Sequence, residues 1–158
     1  MSDILQLDSL DWAILRELQR DAAQPVHAIG DKVGLSANPC WRRIRRMEEA
    51  GVIKARVALL DPQLLGLTTT VFVAIRTNRH DAEWLAAFAA AVEGLDEVIE
   101  CHRMAGDIDY MLKLRVSGIA DYDRIYQRLI ARVPALADVT ASFSMEEMKY
   151  STALAKPY

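Results

Sequence analysis

A chain of 158 residues holds one medium domain or two small ones. Its 52% apolar and 26% charged residues are a globular composition, and its longest apolar runs, such as Leu85–Val92, fall far short of the ~20 residues a bilayer span needs. A formal net charge of −3 excludes a protein coated in basic residues and leaves room for a local basic face.

Met1–Gln6 has no basic leader region, and Asp3 and Asp8 interrupt the apolar positions that follow, so no secretory signal is expected. Cys40 and Cys101 are far apart and fit no metal spacing, which points to a reducing, cytoplasmic compartment and to no metal.

From Leu7 to about Ile53 the apolar residues recur at helical spacing. Leu10, Ile14, Leu15 and Leu18 form one stripe, with Asp8 or Ser9 as its N-cap. A short second helix begins near Pro25 and turns Ile29 and Val33 inward. Gly34 permits a left-handed turn, Leu35 plugs the core, and Ser36 caps a third helix running to Ala50 and stopping at Gly51. Three short helices, the last two joined by a tight glycine turn, describe a helix-turn-helix of winged-helix type over residues 1–53.

Residues 54–66 form a strand and hinge linker: "VIKARVALLD" has strand character, and Pro62 and Gly66 break the chain. Over 67–158 the order is β-α-β-β-α-β. Strands are expected at Thr68–Thr77, in "DEVIECHRMAGD", in "DYMLKLRVSG" and in "DVTASFSMEEMKY". Helices are expected in "DAEWLAAFAAAVEG", capped by Asp81 and stopped by Gly94, and in "DYDRIYQRLIARV", ending before Pro134. That order is a ferredoxin-like unit, so the fold class is α+β.

Four arginines, Arg42, Arg43, Arg45 and Arg46, lie within five positions of the third helix. Cys40, Ile44 and Met47 share the inward face, with Arg42, Arg45 and Arg46 opposite and Arg43 beside Arg46. A merely solvated face would need nearby acids; Glu48 and Glu49 are too few for four cations. Duplex DNA is therefore the expected partner, with Ser36, Asn38 and Trp41 near its bases or backbone.

"AGDIDYM" supports two readings. Gly106 allows a tight turn, and Asp107 and Asp109 lie on one side of an extended segment. Such a carboxylate can bind an α-ammonium group while backbone N–H groups take the carboxylate. Equally, Asp107 can satisfy local amides in a hairpin turn. Cys101–His102 does not make a nucleophile pair, because neighbours on a strand face opposite ways. His27 and His80 are surface residues, Trp84, Phe88 and Val92 are the core face of a helix, and Val71, Val73 and Ile75 serve the core or a dimer contact, with Phe72 opposite. No catalytic residue is expected.

The segments "LDWAILRELQRDA", "VGLSANPCWRRIRRMEEAGVI", "ALLDPQLLGL", "MAGDIDYMLKLRV" and "VPALADVTASFSMEEMKYSTAL" resemble, in order and in register, the Lrp/AsnC (feast/famine) family of prokaryotic transcription regulators. Pro39–Cys40–Trp41 together with "MAGDIDY" is most similar to a branch linked to sulfur amino-acid metabolism. The resemblance implies a DNA-binding half and a half that senses a small amino acid between subunits, in dimers commonly assembled into octamers. It places Ser36, Asn38, Trp41, Arg42, Arg43, Arg45 and Arg46 on the recognition helix, and Met104, Gly106, Asp107, Asp109 and Tyr110 on the effector loop, with Thr140 and Ser142 on the last strand completing the site. It implies no cofactor and no enzyme activity. The alternative is an architectural DNA-binding protein whose second half serves assembly alone.

Overall fold

The computed structural model describes residues 5–157. Of the segment Met1–Gln6, for which no leader is expected, the first four residues lie outside the described residues, as does Tyr158. The chain divides into two compact units. One is built from residues up to Leu59 together with the stretch from Lys149 onward, the other runs Leu60–Met148.

The first unit holds α1 (Ser9–Arg20), α2 (Val26–Val33) and α3 (Ala37–Glu49). Asp8 caps α1 in a reciprocal box: its carboxylate accepts from the Asp11 N–H and the Asp11 carboxylate accepts from its own. Ile14, Leu15 and Leu18 pack with Ile29, Cys40, Ile44 and Met47 into one core. The inward face expected for the third helix is therefore correct, and the buried row of α1 begins at Asp11 rather than Leu10.

Gly34 ends α2 in the left-handed region at φ 75. The tighter constraint in this turn is Gly30, where a Cβ would stand 2.6 Å from the Leu35 carbonyl oxygen. That approach lets the Leu35 N–H donate to the Gly30 carbonyl at 2.9 Å and brings α3 onto α2. Gly30→Ala is expected to cost about 1–3 kcal/mol, since the obstacle is backbone and cannot swing aside. A melt of the helical unit that matches wild type would refute this.

Two expectations fail here. Ser36 occupies the N-cap position of α3 but makes no side-chain cap hydrogen bond. "VIKARVALLD" forms no strand, so no wing follows α3 among the described residues. A strand needs a ladder partner for its N–H and C=O groups, and this segment has none; Val57, Leu59 and Leu60 are exposed.

The second unit opens with a turn in which the Asp61 carboxylate accepts from the Gln63 N–H and the Leu67 N–H donates to the Pro62 carbonyl. Then follow β1 (Thr69–Thr77), α4 (Ala82–Glu93), β2 (Val98–Arg103), β3 (Tyr110–Val116), α5 (Ile119–Arg132) and β4 (Leu136–Phe143). The strands form one antiparallel sheet in the order β2-β3-β1-β4, the ferredoxin-like arrangement. Asp81 caps α4 through the Trp84 N–H. Val71, Val73 and Ile75 of β1, with Leu112, Leu114 and Val116 of β3, pack on Trp84 and Phe88 of α4 and on Ile125 and Leu129 of α5. Those three β1 residues thus serve the core.

The other sheet face carries Phe72, Ala74, Met111, Lys113 and Arg115, none of which belongs to that core. The last strand begins at Leu136 and ends at Phe143, short of the expected reach to Tyr150. Its partner β1 begins at Thr69, so after the Ser144 N–H meets the Thr70 carbonyl the ladder has nothing left to bond. Beyond Met148 the chain packs with the helical unit, whereas the expected second domain ran to 158. The Gln19 side-chain amide there exchanges two hydrogen bonds with the Leu154 backbone, at 3.2 and 2.6 Å.

Candidate DNA-binding helix and effector loop

In α3 the buried row is Cys40, Ile44 and Met47. Ser36, Asn38, Trp41, Arg42, Arg45 and Arg46 are exposed, and Arg43 is half-buried. Arg45 lies over the Trp41 ring at 6.0 Å and faces Glu48 and Glu49 at 3.7 and 3.4 Å. These are loose, exposed pairs of little worth, and Glu48 also serves Arg56 at 2.8 Å.

Arg43 and Arg46 behave differently. One guanidinium nitrogen of Arg43 donates to both Asp8 and Asp11 at 2.8 Å, and Arg46 donates to Asp11 at 2.5 Å. Asp11 is fully buried. The carboxylates of Asp11 and Asp8 push the Arg43 guanidinium up from its ordinary value, and Asp8 is held low by the Asp11 N–H and by Arg43. The acids that Glu48 and Glu49 are too few to supply thus come from the start of α1. Their signal was legible: Asp11 stands three, four and seven residues before Ile14, Leu15 and Leu18, an acid inside an apolar stripe. Among the described residues, Arg42 alone of the four arginines has no acid within ion-pair distance.

The β2–β3 loop, residues 104–109, brings the predicted effector residues to one end of the sheet in different roles. Met104, Gly106 and Asp107 are exposed, and Gly106 has φ 144, a conformation that side chains resist. Asp109 is half-buried. Its carboxylate accepts from the Thr77 N–H at 2.8 Å, its N–H donates to the Ile75 carbonyl at 2.9 Å, and its carbonyl accepts from the Met104 N–H at 2.8 Å. Asp109 thus staples the loop to the end of β1, and its other carboxylate oxygen lies 4.0 Å from the exposed His80 ring. Asp107 has no partner among the described residues.

Tyr110 also departs from expectation. It is buried on the helix side of the sheet, its ring 4.5 Å from Phe88 and 5.8 Å from Trp84. The alternation Tyr110, Leu112, Leu114, Val116 requires this. Thr140 and Ser142 are exposed on the opposite face, paired in register with Ala74 and Phe72. The Thr140 hydroxyl donates to Asp138, a residue the sequence argument did not single out, which lies opposite Arg76.

The remaining polar candidates are accounted for. Cys101 registers with Leu112 and His102 with Met111, so they face apart; the Cys101 thiol is exposed, with partial desolvation by neighbouring atoms raising it, and His102 lies 3.3 Å from Glu100. Cys40 is buried in the helical core. Among the described residues no helix is long and apolar enough to cross a membrane, and no three His, Cys, Asp or Glu side chains gather as a metal site.

A helix-turn-helix with an exposed cationic helix, beside a ferredoxin-like unit bearing a stapled acidic loop, defines a two-part transcription regulator. Residues 7–48 match the AsnC-type helix-turn-helix domain and residues 70–154 the Lrp/AsnC ligand-binding domain. The chain belongs to the Lrp/AsnC family of DNA-binding transcription regulators, which are not enzymes. It is 54% identical to the glutamate uptake regulatory protein of Zymomonas mobilis, over 98% of this chain and 93% of that one. It is 43% identical to the DNA-binding transcriptional activator DecR of Escherichia coli, over 94% and 97%. Among solved structures, an AsnC family regulator from Agrobacterium tumefaciens superimposes with TM-score 0.91 at 50% identity, covering 94% and 97% of the two chains. A Neisseria meningitidis regulator in complex with L-Met does so with TM-score 0.89 at 28% identity, covering 95% and 97%.

Proposed function

We propose that this regulator grips duplex DNA with the exposed row of α3 and that a free amino acid, seated at the 104–109 loop, changes its assembly or its DNA affinity. The observation that carries the effector half is the pairing of an unpartnered Asp107 carboxylate with a loop already stapled by Asp109. A loop held in place beforehand loses little entropy on binding a ligand, and Asp107 beside Gly106 offers a counter-charge to an α-ammonium group. The bound L-Met of the Neisseria relative and the glutamate-linked name of the Zymomonas relative support an amino acid without choosing one.

The uncovered sheet face with Phe72 at its centre suits a contact with a second copy, which would place Thr140 and Ser142 beside a neighbour's loop. Two recognition helices of a dimer then meet half-sites about 34 Å apart. An octamer built as a tetramer of dimers, a cytoplasmic location and the sulfur amino-acid branch belong to the same proposal.

A ligand acts only if it favours one assembly or conformational state over another. The test is a thermal-shift and sedimentation screen of the twenty amino acids on wild type and Asp107→Asn. The expected result is one stabilising amino acid, raising Tm by several degrees at saturating concentration, with the shift abolished in the variant. Asp109→Ala is the poorer variant, because it also orphans the Thr77 N–H. Identical Tm, assembly and duplex affinity with every amino acid would leave the purely architectural reading standing.

A further inference from the structure

The four arginines of α3 divide into two sets with separate tasks. Opposite the buried row Cys40, Ile44 and Met47 stand Asn38, Arg42 and Arg45, whereas Arg43 and Arg46 flank the side toward α1. Asp11 receives Arg43 on one carboxylate oxygen and Arg46 plus the Asp8 N–H on the other. A fully buried carboxylate cannot exchange such cations for water, because removing them strands its charge. A DNA phosphate drawing Arg43 and Arg46 away would have to bear that cost. The pairs of Arg45 with Glu48 and Glu49 are exposed and loose and carry no such penalty.

We infer that Asp11 is a positioning residue for DNA recognition: it withdraws Arg43 and Arg46 from the polyanion contact and fixes the rotation of α3 about its axis. Asn38, Arg42 and Arg45, with Trp41 alongside, are then the DNA-facing row. The brace acts at the middle of α3, where the two rows stand ~100° apart about the helix axis, so holding that rotation keeps one row and not the other toward the duplex. This rests on the DNA-binding reading and narrows it to particular cations.

The experiment is titration of a random-sequence 30-base-pair duplex by fluorescence anisotropy between 50 and 200 mM NaCl, alongside thermal melts, for wild type, Arg42→Ala, Arg46→Gln and Asp11→Asn. Each neutralised phosphate contributes roughly 0.9 to the slope of log affinity against log salt. Arg42→Ala is expected to lower the slope by about one with Tm unchanged. Arg46→Gln, which removes the charge and keeps a hydrogen-bond donor, is expected to lower Tm and leave the slope unchanged. Asp11→Asn is expected to lower Tm and raise the slope, because freed guanidinium groups reach the phosphates; a purely structural lesion would not raise it. A slope lowered by about one in Arg46→Gln, whatever its Tm, overturns the inference, and so does an unchanged Tm in that variant. Wild type that binds no duplex overturns the DNA-binding reading as well.

Discussion

Trp84→Ala is expected to destabilise the ferredoxin-like unit strongly while leaving the helical unit untouched. Trp84 is 1% exposed and stacks on Phe88 with ring centroids 5.1 Å apart. Its indole N–H donates to the Pro134 carbonyl at 2.7 Å, tying α4 to the start of β4. Truncating a buried aromatic to alanine costs about 3–5 kcal/mol, and the orphaned carbonyl adds roughly 1 kcal/mol more. Against the 5–15 kcal/mol that typically holds a domain, this removes from about a quarter to all of it. The melting transition of the unit should fall by more than about 12 °C. Near-UV circular dichroism from its aromatic cluster follows this unit, and the helical far-UV signal that survives its loss reports α1–α3. The cores share no residue, so loss of both transitions at one temperature would refute independent cores.

The second large effect concerns the arginine brace. Replacing Arg43 and Arg46 together by alanine is expected to cost the helical unit about 3–5 kcal/mol at neutral pH, because it leaves the Asp11 carboxylate buried without a cation. Asp11→Ala should cost less. The arginines it frees are only partly buried, with side chains 26% and 47% exposed, and can turn to water. That ordering, measured by urea unfolding, is the test; equal costs, or a greater cost for Asp11→Ala, would contradict it. The brace also has an acid limit. Asp8 is held below its ordinary value by the Asp11 N–H and Arg43. Its contribution is therefore present above the unfolded value of 3.8 and fades as pH falls through the lower folded one.

Much of this was legible in the sequence where a period had one meaning. Cys40, Ile44 and Met47 could share only one helical face, and Val71, Val73 and Ile75 could lie only on one side of a strand. Asp81 before an apolar helix announced its cap. The failures come from interactions that a local pattern does not contain. "VIKARVALLD" alternates like a strand, but alternation supplies no partner for the backbone. Asp109 lies two residues from Asp107 in an extended segment, which alone suggests one shared role; only the register of β1 against β3 shows the Thr77 N–H it satisfies. Tyr110 adjoins the loop in sequence, although its place in the alternation of β3 assigns it to the core. Asp11 escaped because an acid was not counted in an apolar stripe, and its partners are more than 30 residues away.

The return of the chain end has a genetic consequence. The stretch from Lys149 onward packs with α1–α3, where the Gln19 side chain holds the Leu154 backbone by two hydrogen bonds. A premature stop codon at Lys149 would spare every strand and helix of the second unit and injure the first. Read from its reading frame alone, such an allele would be mapped to the effector half and yet behave as a DNA-binding mutant.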